Sequence, residues 1–216
     1  SNDLAAKARN YNAQSLLYYD YYNWEKIVEC SLFAAECYHT LGNIDNYVLM
    51  LCRAAEGYAL LGDKDGLNRH LSECQRLLDA INNTSKAYYY SVYLTHNNEG
   101  LSKVTTSVID NYLNIVSDEE VDWIVVANAY LTIGNVASAK AALDNLQHQN
   151  KQNNDSYYAI LTRILKAEGS YKNALETYEY YNKITDSLDF VRLSQDTQFI
   201  EERHQLEMAT IKEQEK

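Results

Sequence analysis

The segment WIVVANAYLTIGNVASAKAAL, residues 123–143, consists of two apolar, amphipathic halves separated by Gly134. Apolar and small side chains recur every three or four residues on each side, which predicts two helices joined by a short turn. Similar turn signals end apolar segments at Gly62, at residues 98–100 and at Gly169, in steps of 36, 36 and 35 residues. This self-similarity predicts helical hairpins repeated along the chain.

Composition strengthens this all-α interpretation. The 216 residues are 46% hydrophobic, enough for a buried core, and they include no proline and seven glycines. Proline breaks helices and stiffens linkers, so its absence favours helices joined by short connections. No run of about 18 apolar residues occurs, so the sequence predicts no membrane span within this segment.

The net charge argues against one class of partner. Acidic residues number 30 against 19 basic ones, for a formal charge of −11, and no basic run occurs. Binding to nucleic acid depends on basic side chains that displace counterions from phosphates. We therefore expect this segment to bind no nucleic acid.

The four cysteines are predicted to be buried free thiols. Cys30 and Cys37 lie on one predicted helix about 10 Å apart along its axis, too far to form a disulfide. Most of the four fall on apolar faces, Cys74 among them, where cysteine packs as a small hydrophobic side chain. Reduced thiols favour a reducing compartment, and the periplasm stays open as the alternative.

The sequence contains no catalytic constellation. The paired glutamates at 119–120 and 201–202 cannot act on one substrate atom, because neighbours on a helix point about 100° apart. His70 and Cys74 share a helix face at a spacing that can hold a metal, but no second pair of ligands completes a zinc site. No nucleophile elbow, phosphate loop or HExxH motif occurs. We expect no enzyme, no cofactor and no metal.

The chain also has 20 tyrosines. Runs such as 88–90 and 180–181 exceed what packing between helices needs, because adjacent residues on a helix face different ways. These side chains are either half-buried with their hydroxyls in solvent, or they form a tyrosine-rich surface for a peptide or glycan.

The repeated unit has a defined residue pattern. The unit around Gly134 places Trp123, Ala127, Tyr130, Gly134 and Ala139 in order, and this pattern and its period resemble the tetratricopeptide repeat (TPR), a 34-residue helical hairpin. Small residues let two helices approach, aromatic residues fill the space between hairpins, and glycine ends the first helix. Corresponding positions in other units are Trp24, Ala55, Tyr58, Gly62, Gly169, Tyr171, Ala174 and Tyr178.

This resemblance implies an α–α superhelix, a TPR-like solenoid of about five helical hairpins with a long C-terminal helix. The repeat domain spans residues 8–186, after a tag remnant and N-terminal extension at residues 1–7. The second helix of the first hairpin is expected to be long, from about Trp24 to Leu41. We expect the chain to be a segment of a longer protein.

In the TPR family, the first helix of each hairpin lines a groove that binds peptides. Some members clamp the terminal carboxylate of a peptide with lysines, an arginine and asparagines. In this chain, only Asn128, Arg163 and Lys166 resemble that set. A mixed groove for an unidentified protein or peptide is therefore expected. By register, the groove residues are Tyr19, Glu56, Tyr88, Asn128, Arg163 and Lys166.

Residues 187–216 contain no glycine or proline and approximate an a/d heptad through Phe190, Leu193 and Ile200. The first turns are expected to cap the last hairpin. For the remaining residues, the pattern predicts either a projecting linker helix or a coiled coil. A coiled coil would join two copies of the chain as a homodimer.

The stretch from Tyr180 through Asp186, Ser187 and Leu188 to the Glu/Lys-rich end at Lys216 carries a second resemblance. It is similar to the end of the repeat domain in membrane-bound sensor regulators of Bacteroidetes-type bacteria. There, an extracytoplasmic repeat domain leads through such a helix into one membrane span and then a histidine kinase or helix-turn-helix domain. The resemblance implies a periplasmic sensor domain of a signalling or transcriptional regulator, which meets the membrane only through its parent protein. The alternative is a cytoplasmic scaffold.

Overall fold

A computed structural model of the chain describes residues 2–96, 104–148 and 155–186, and this part is helical without any strand. The prediction of an all-α protein is confirmed. A short 3-10 turn, Leu78–Ala80, follows the fourth helix. The helices are α1 (Asn2–Asp20), α2 (Trp24–Thr40), α3 (Ile44–Leu60), α4 (Lys64–Arg76), α5 (Asn83–His96), α6 (Thr106–Ile115), α7 (Trp123–Thr132), α8 (Val136–His148), α9 (Asp155–Ala167) and α10 (residues 171–186).

Five connections between these helices are turns of three residues with the same geometry. The central residue has a positive φ, from +53° at Tyr22 to +78° at Gly169. In the turn after α2, the Gly42 N–H donates to the carbonyl of His39 at 3.0 Å, and the Asn43 N–H donates to that of Tyr38 at 2.9 Å. This pair of bonds is the Schellman motif, which requires a left-handed residue at its centre. The central residues are Tyr22, Gly42, Gly62, Gly134 and Gly169.

The third residue of the turn also begins the next helix. The Asn43 side chain accepts a hydrogen bond from the backbone N–H of Asn46 at 3.1 Å, and Asp63 accepts one from Gly66 at 2.9 Å. Asparagine and aspartate are preferred at this position because their side chains satisfy an otherwise unpaired N–H of the first turn. One residue thus closes one helix and caps another, so the two helices must run antiparallel.

Helices that are adjacent in sequence pack side by side, with α2 held between α1 and α3. The odd-numbered helices also contact one another, α3 with α5, α5 with α7 and α7 with α9. Buried apolar side chains form one continuous cluster that extends from Ala8 on α1 to Ile164 on α9. α1 begins at Asn2, so residues 2–7 belong to its first turns.

Most of the repeat positions lie inside this packing. Ala55, Ala127 and Ala139 have no exposed surface, and the rings of Tyr58 and Tyr130 are partly buried against the core. Trp24 makes edge contacts with the rings of Tyr19 and Tyr22, with centroid separations of 5.6 Å. The alanines therefore occupy places where two helices approach closely.

Two positions differ from the pattern. Tyr171 is 69% exposed and Tyr178 is 49% exposed, although the repeat pattern predicts that such aromatic residues fill the space between hairpins. Both lie on α10, and no later helix packs against them within the described residues. Ala174, on the same helix, is buried against α9, so α10 is packed on one side and exposed on the other.

The turn geometry makes a prediction at Gly62. An added Cβ at Gly62 would meet no atom within 4 Å, so substitution there tests only the backbone conformation at φ +76°. We expect Gly62→Ala to lower the free energy of unfolding by about 1 kcal/mol, because an L-residue is strained in the left-handed region. Gly62→Asn should lower it less, since asparagine tolerates that region. Urea unfolding measures both, and equal losses in the two variants would contradict this explanation.

Candidate functional site

Polar side chains link three of the odd-numbered helices through hydrogen bonds. We call this group the odd-helix network. Its members are Asn12, Ser15 and Tyr19 on α1, Arg53 and Glu56 on α3, and Tyr88 on α5.

The Glu56 carboxylate joins α1 to α5. Its Oε1 accepts a hydrogen bond from the Tyr19 hydroxyl at 2.7 Å, and its Oε2 accepts one from the Tyr88 hydroxyl at 2.9 Å. Burial and the nearby Glu56 charge both raise the pKa of each tyrosine above the usual value of 10.0. Both phenols therefore remain donors at any physiological pH.

Arg53 supplies the positive charge of the same network. The side chain is only 8% exposed, and its Nη1 donates to Asn12 Oδ1 at 2.6 Å and to Ser15 Oγ at 2.8 Å. Arg53 lies one helical turn before Glu56, so opposite charges share a face of α3. A buried guanidinium is tolerated only when its donors are satisfied, and here α1 satisfies part of them.

A second polar contact joins α7 to α9. Arg163 Nη1 donates to Asn128 Oδ1 at 2.5 Å, and the Arg163 side chain is otherwise exposed. Lys166 follows one turn later on α9 and is also exposed. These two cations therefore lie on the same side of α9.

An apolar groove of about 480 Å³ lies between α9 and α10, and Arg163 and Lys166 form part of its wall. We call it the α9/α10 groove. Its α10 side presents Tyr171, Leu175 (58% exposed) and Tyr178 at a spacing of three or four residues. The full lining is Ala159, Thr162, Arg163, Lys166, Tyr171, Ala174, Leu175, Tyr178 and Tyr181.

The structure therefore places the six predicted groove residues in two locations. Tyr19, Glu56 and Tyr88 meet within the odd-helix network, and Asn128 pairs with Arg163 close to Lys166. Arg53 is not among the predicted groove residues, although its position one turn before Glu56 places both on one helix face.

The α10 wall of the groove is not part of the site that the repeat register predicts. In the repeat pattern, Tyr171 and Tyr178 are packing positions, and Leu175 has no assigned role. The spacing of 171, 175 and 178 is the available signal, because these residues share one face of a helix.

The residues weighed for metal binding or catalysis have other contacts. The His70 ring stacks on Tyr58 at 5.2 Å with its Nδ1 2.7 Å from the carbonyl of Gly66, and Cys74 contacts Cys52. Within residues 2–96, 104–148 and 155–186, no group of three or more His, Cys, Asp or Glu side chains could hold a metal ion. The glutamates at 119–120 are exposed, and those at 201–202 lie outside the described residues.

No helix in the described part of the chain is both long and apolar enough to cross a membrane. The predicted capping or coiled-coil helix at residues 187–216 lies outside that part.

Comparison with known proteins finds no match among family models, curated proteins or solved structures. The residues and their geometry are therefore the basis for a functional proposal.

The odd-helix network predicts a loss of stability at alkaline pH. Because the pKa values of Tyr19 and Tyr88 are raised on folding, their contribution is complete below pH 10 and is lost as the pH rises above 10. We expect thermal unfolding temperatures of Tyr19→Phe/Tyr88→Phe to fall less steeply between pH 9 and 11.5 than those of the unmodified chain.

Tyr171→Phe is the matched control, because it removes the hydroxyl of an exposed tyrosine outside the network. Its unfolding temperature should follow that of the unmodified chain over the whole range. Parallel pH profiles for the double variant and the unmodified chain would show that the network does not set this dependence.

Proposed function

We propose that this chain is a non-catalytic interaction module built as a TPR-like α–α superhelix of about five helical hairpins. The hairpins are α1–α2, α3–α4, α5–α6, α7–α8 and α9–α10. Two observations support this arrangement: the three-residue turns of one geometry, and the contacts of successive odd-numbered helices from α3 to α9. A stack of hairpins with such contacts exposes an extended surface along the odd-numbered helices.

We infer that the α9/α10 groove is the principal binding site. The observation that carries this proposal is the exposed apolar face of α10, which lies opposite two cations on α9. Exposed contiguous apolar surface beside charged side chains is typical of sites that bind other molecules. The matching partner is a protein or peptide segment that presents an apolar side chain next to a carboxylate.

The odd-helix network has a different role in this proposal. Glu56 already accepts two tyrosine hydroxyls, and Arg53 already donates to two side chains of α1. A ligand that took these groups would first have to break hydrogen bonds between hairpins. The network therefore fixes the spacing of the first three hairpins. The shape of the surface along the odd-numbered helices depends in part on Tyr19, Glu56 and Tyr88.

The resemblance of the C-terminal segment to the end of such repeat domains supports a signalling role. We propose that it is the extracytoplasmic, periplasmic sensor domain of a bacterial membrane-bound signalling or transcriptional regulator. Because residues 187–216 follow α10 directly, a ligand in the α9/α10 groove would bind next to the segment that leads to the output. A cytoplasmic scaffold that binds a partner protein is the alternative, with the same groove as its contact surface.

A displayed peptide library tests the groove. We expect selection on the chain to enrich peptides with an apolar residue beside Asp or Glu. The double variant Arg163→Gln/Lys166→Gln should lower the affinity for these peptides at least tenfold, because two charge-assisted contacts are lost. Leu175→Glu should abolish binding, since it places a charge in the apolar wall.

Two controls match these variants in exposure and chemistry. Leu16→Glu changes a leucine that is 51% exposed on α1, and Lys172→Gln removes an exposed cation of α10 that does not line the groove. Both should bind the selected peptides as the unmodified chain does. Peptides that bind all variants equally would place the site elsewhere.

The parent reading frame beyond Lys216 tests the sensor proposal. We expect an apolar stretch of about 20 residues with flanking lysine or arginine within a few helical turns. In the parent regulator, Leu175→Glu should then alter output while protein abundance is unchanged. A soluble continuation would favour the scaffold, and unchanged output would count against a sensory role for the groove.

A further inference from the structure

Two of the four cysteines meet in the core between α3 and α4. Cys52 on α3 and Cys74 on α4 have no exposed surface, and their Sγ atoms are 3.6 Å apart. The Cys74 thiol also lies 3.8 Å from the carbonyl oxygen of Val48. Their helices are joined by the three-residue turn at Gly62, so the backbone fixes how the two side chains face each other.

We propose that Cys52 and Cys74 form a disulfide that joins α3 to α4 when the chain folds in an oxidising compartment. A disulfide bond is about 2.05 Å long, so the two sulfur atoms must approach by about 1.5 Å from their present separation. Small rotations of two side chains can supply that distance. The helices already hold the two sulfur atoms in van der Waals contact, and a disulfide needs such proximity before it can form.

The other two cysteines are not competing partners. Cys30 and Cys37 lie on the same helix, seven residues and about 10 Å apart along its axis. The Cys30 thiol faces Gln14 Oε1 on α1 at 3.7 Å, and Cys37 is only partly buried. We therefore expect one disulfide, with Cys30 and Cys37 remaining as thiols.

The reaction requires an electron acceptor, and the appropriate class is the disulfide of a thiol–disulfide oxidoreductase. One cysteine thiolate attacks that disulfide and releases one acceptor thiol. The second cysteine thiolate then attacks the mixed disulfide and releases the other. In total, two protein thiols and one acceptor disulfide yield the Cys52–Cys74 disulfide and two acceptor thiols, so atoms and electrons balance.

Burial determines when this exchange takes place. The oxidoreductase cannot reach side chains with no exposed surface, and burial also raises the pKa of Cys52 well above its usual value. Thiolates are the reacting species, so the folded chain reacts slowly. The exchange therefore accompanies folding, and the completed disulfide is then shielded from reductants by the same packing.

The test compares one protein folded under two conditions. The full chain is unfolded with reductant, refolded with reduced and oxidised glutathione or with reductant alone, and its thiols are counted in denaturant. We expect two thiols and a mass lower by 2 Da after oxidative refolding, and four thiols after reductive refolding. Four thiols in both samples would overturn the proposal.

Peptide mapping identifies the linked cysteines. Trypsin should release residues 27–53 joined to residues 70–76, with Cys30 and Cys37 alkylated. Cys30→Ala/Cys37→Ala should still lose 2 Da on oxidation, whereas Cys52→Ala and Cys74→Ala should show no loss from a 52–74 link. A link that involves Cys30 or Cys37 in the unmodified chain would also overturn the proposal.

A stability measurement on the unmodified chain provides an independent readout. The closed segment from 52 to 74 reduces the freedom of the unfolded chain, so the oxidised form should melt several degrees above the reduced form. Equal melting temperatures for samples with two and with four thiols would show that the disulfide strains the packing, contrary to the proposal.

Discussion

The three-residue turn is the constraint on which the remaining architecture depends. Its central residue has a positive φ, and the residue after it donates a hydrogen bond to the preceding helix. In four of the five turns, the side chain of that same residue caps the following helix. All three residues of the turn are constrained by the two helices that they join. Each such turn therefore produces a pair of antiparallel helices. Because Tyr22 takes the place that glycine holds in the other four turns, the backbone geometry matters more than the residue type. The Tyr22 ring contacts the ring of Trp24, with the centroids 5.6 Å apart.

Hydrogen bonds among buried and half-buried polar side chains then connect α1, α3 and α5, whose residues are more than 30 positions apart in sequence. Glu56 reaches α1 and α5 at once, and Arg53 adds a second link to α1. Because each member of the network has a partner on another helix, the network holds α1, α3 and α5 in one arrangement. This satisfaction is also the reason for locating the proposed binding site at α9 and α10, where cations and apolar side chains still have exposed surface.

The proposed groove and the proposed disulfide lie at separate places in the chain. Cys52 and Cys74 lie on α3 and α4, whereas the groove lies between α9 and α10. The disulfide would stiffen the closely packed helices α3 and α4 and leave α10 unaffected. The proposed disulfide therefore leaves the proposed binding site at α9 and α10 unchanged.

The sequence by itself determined that the chain is helical and where several of its helices end, because periodic apolar positions and glycine turns are local signals. Gly62, Gly134 and Gly169 all lie at turns, and α2 ends within one residue of the predicted position. The register of the repeat pattern also predicted six groove residues, and the fold brings them together in two groups of three. Only the tertiary structure decided that Tyr19 and Tyr88 share Glu56, that Cys52 touches Cys74, and that the packing positions Tyr171 and Tyr178 are exposed. These outcomes depend on side chains 22 to 37 residues apart, or on whether a later helix covers α10, and no local pattern encodes either.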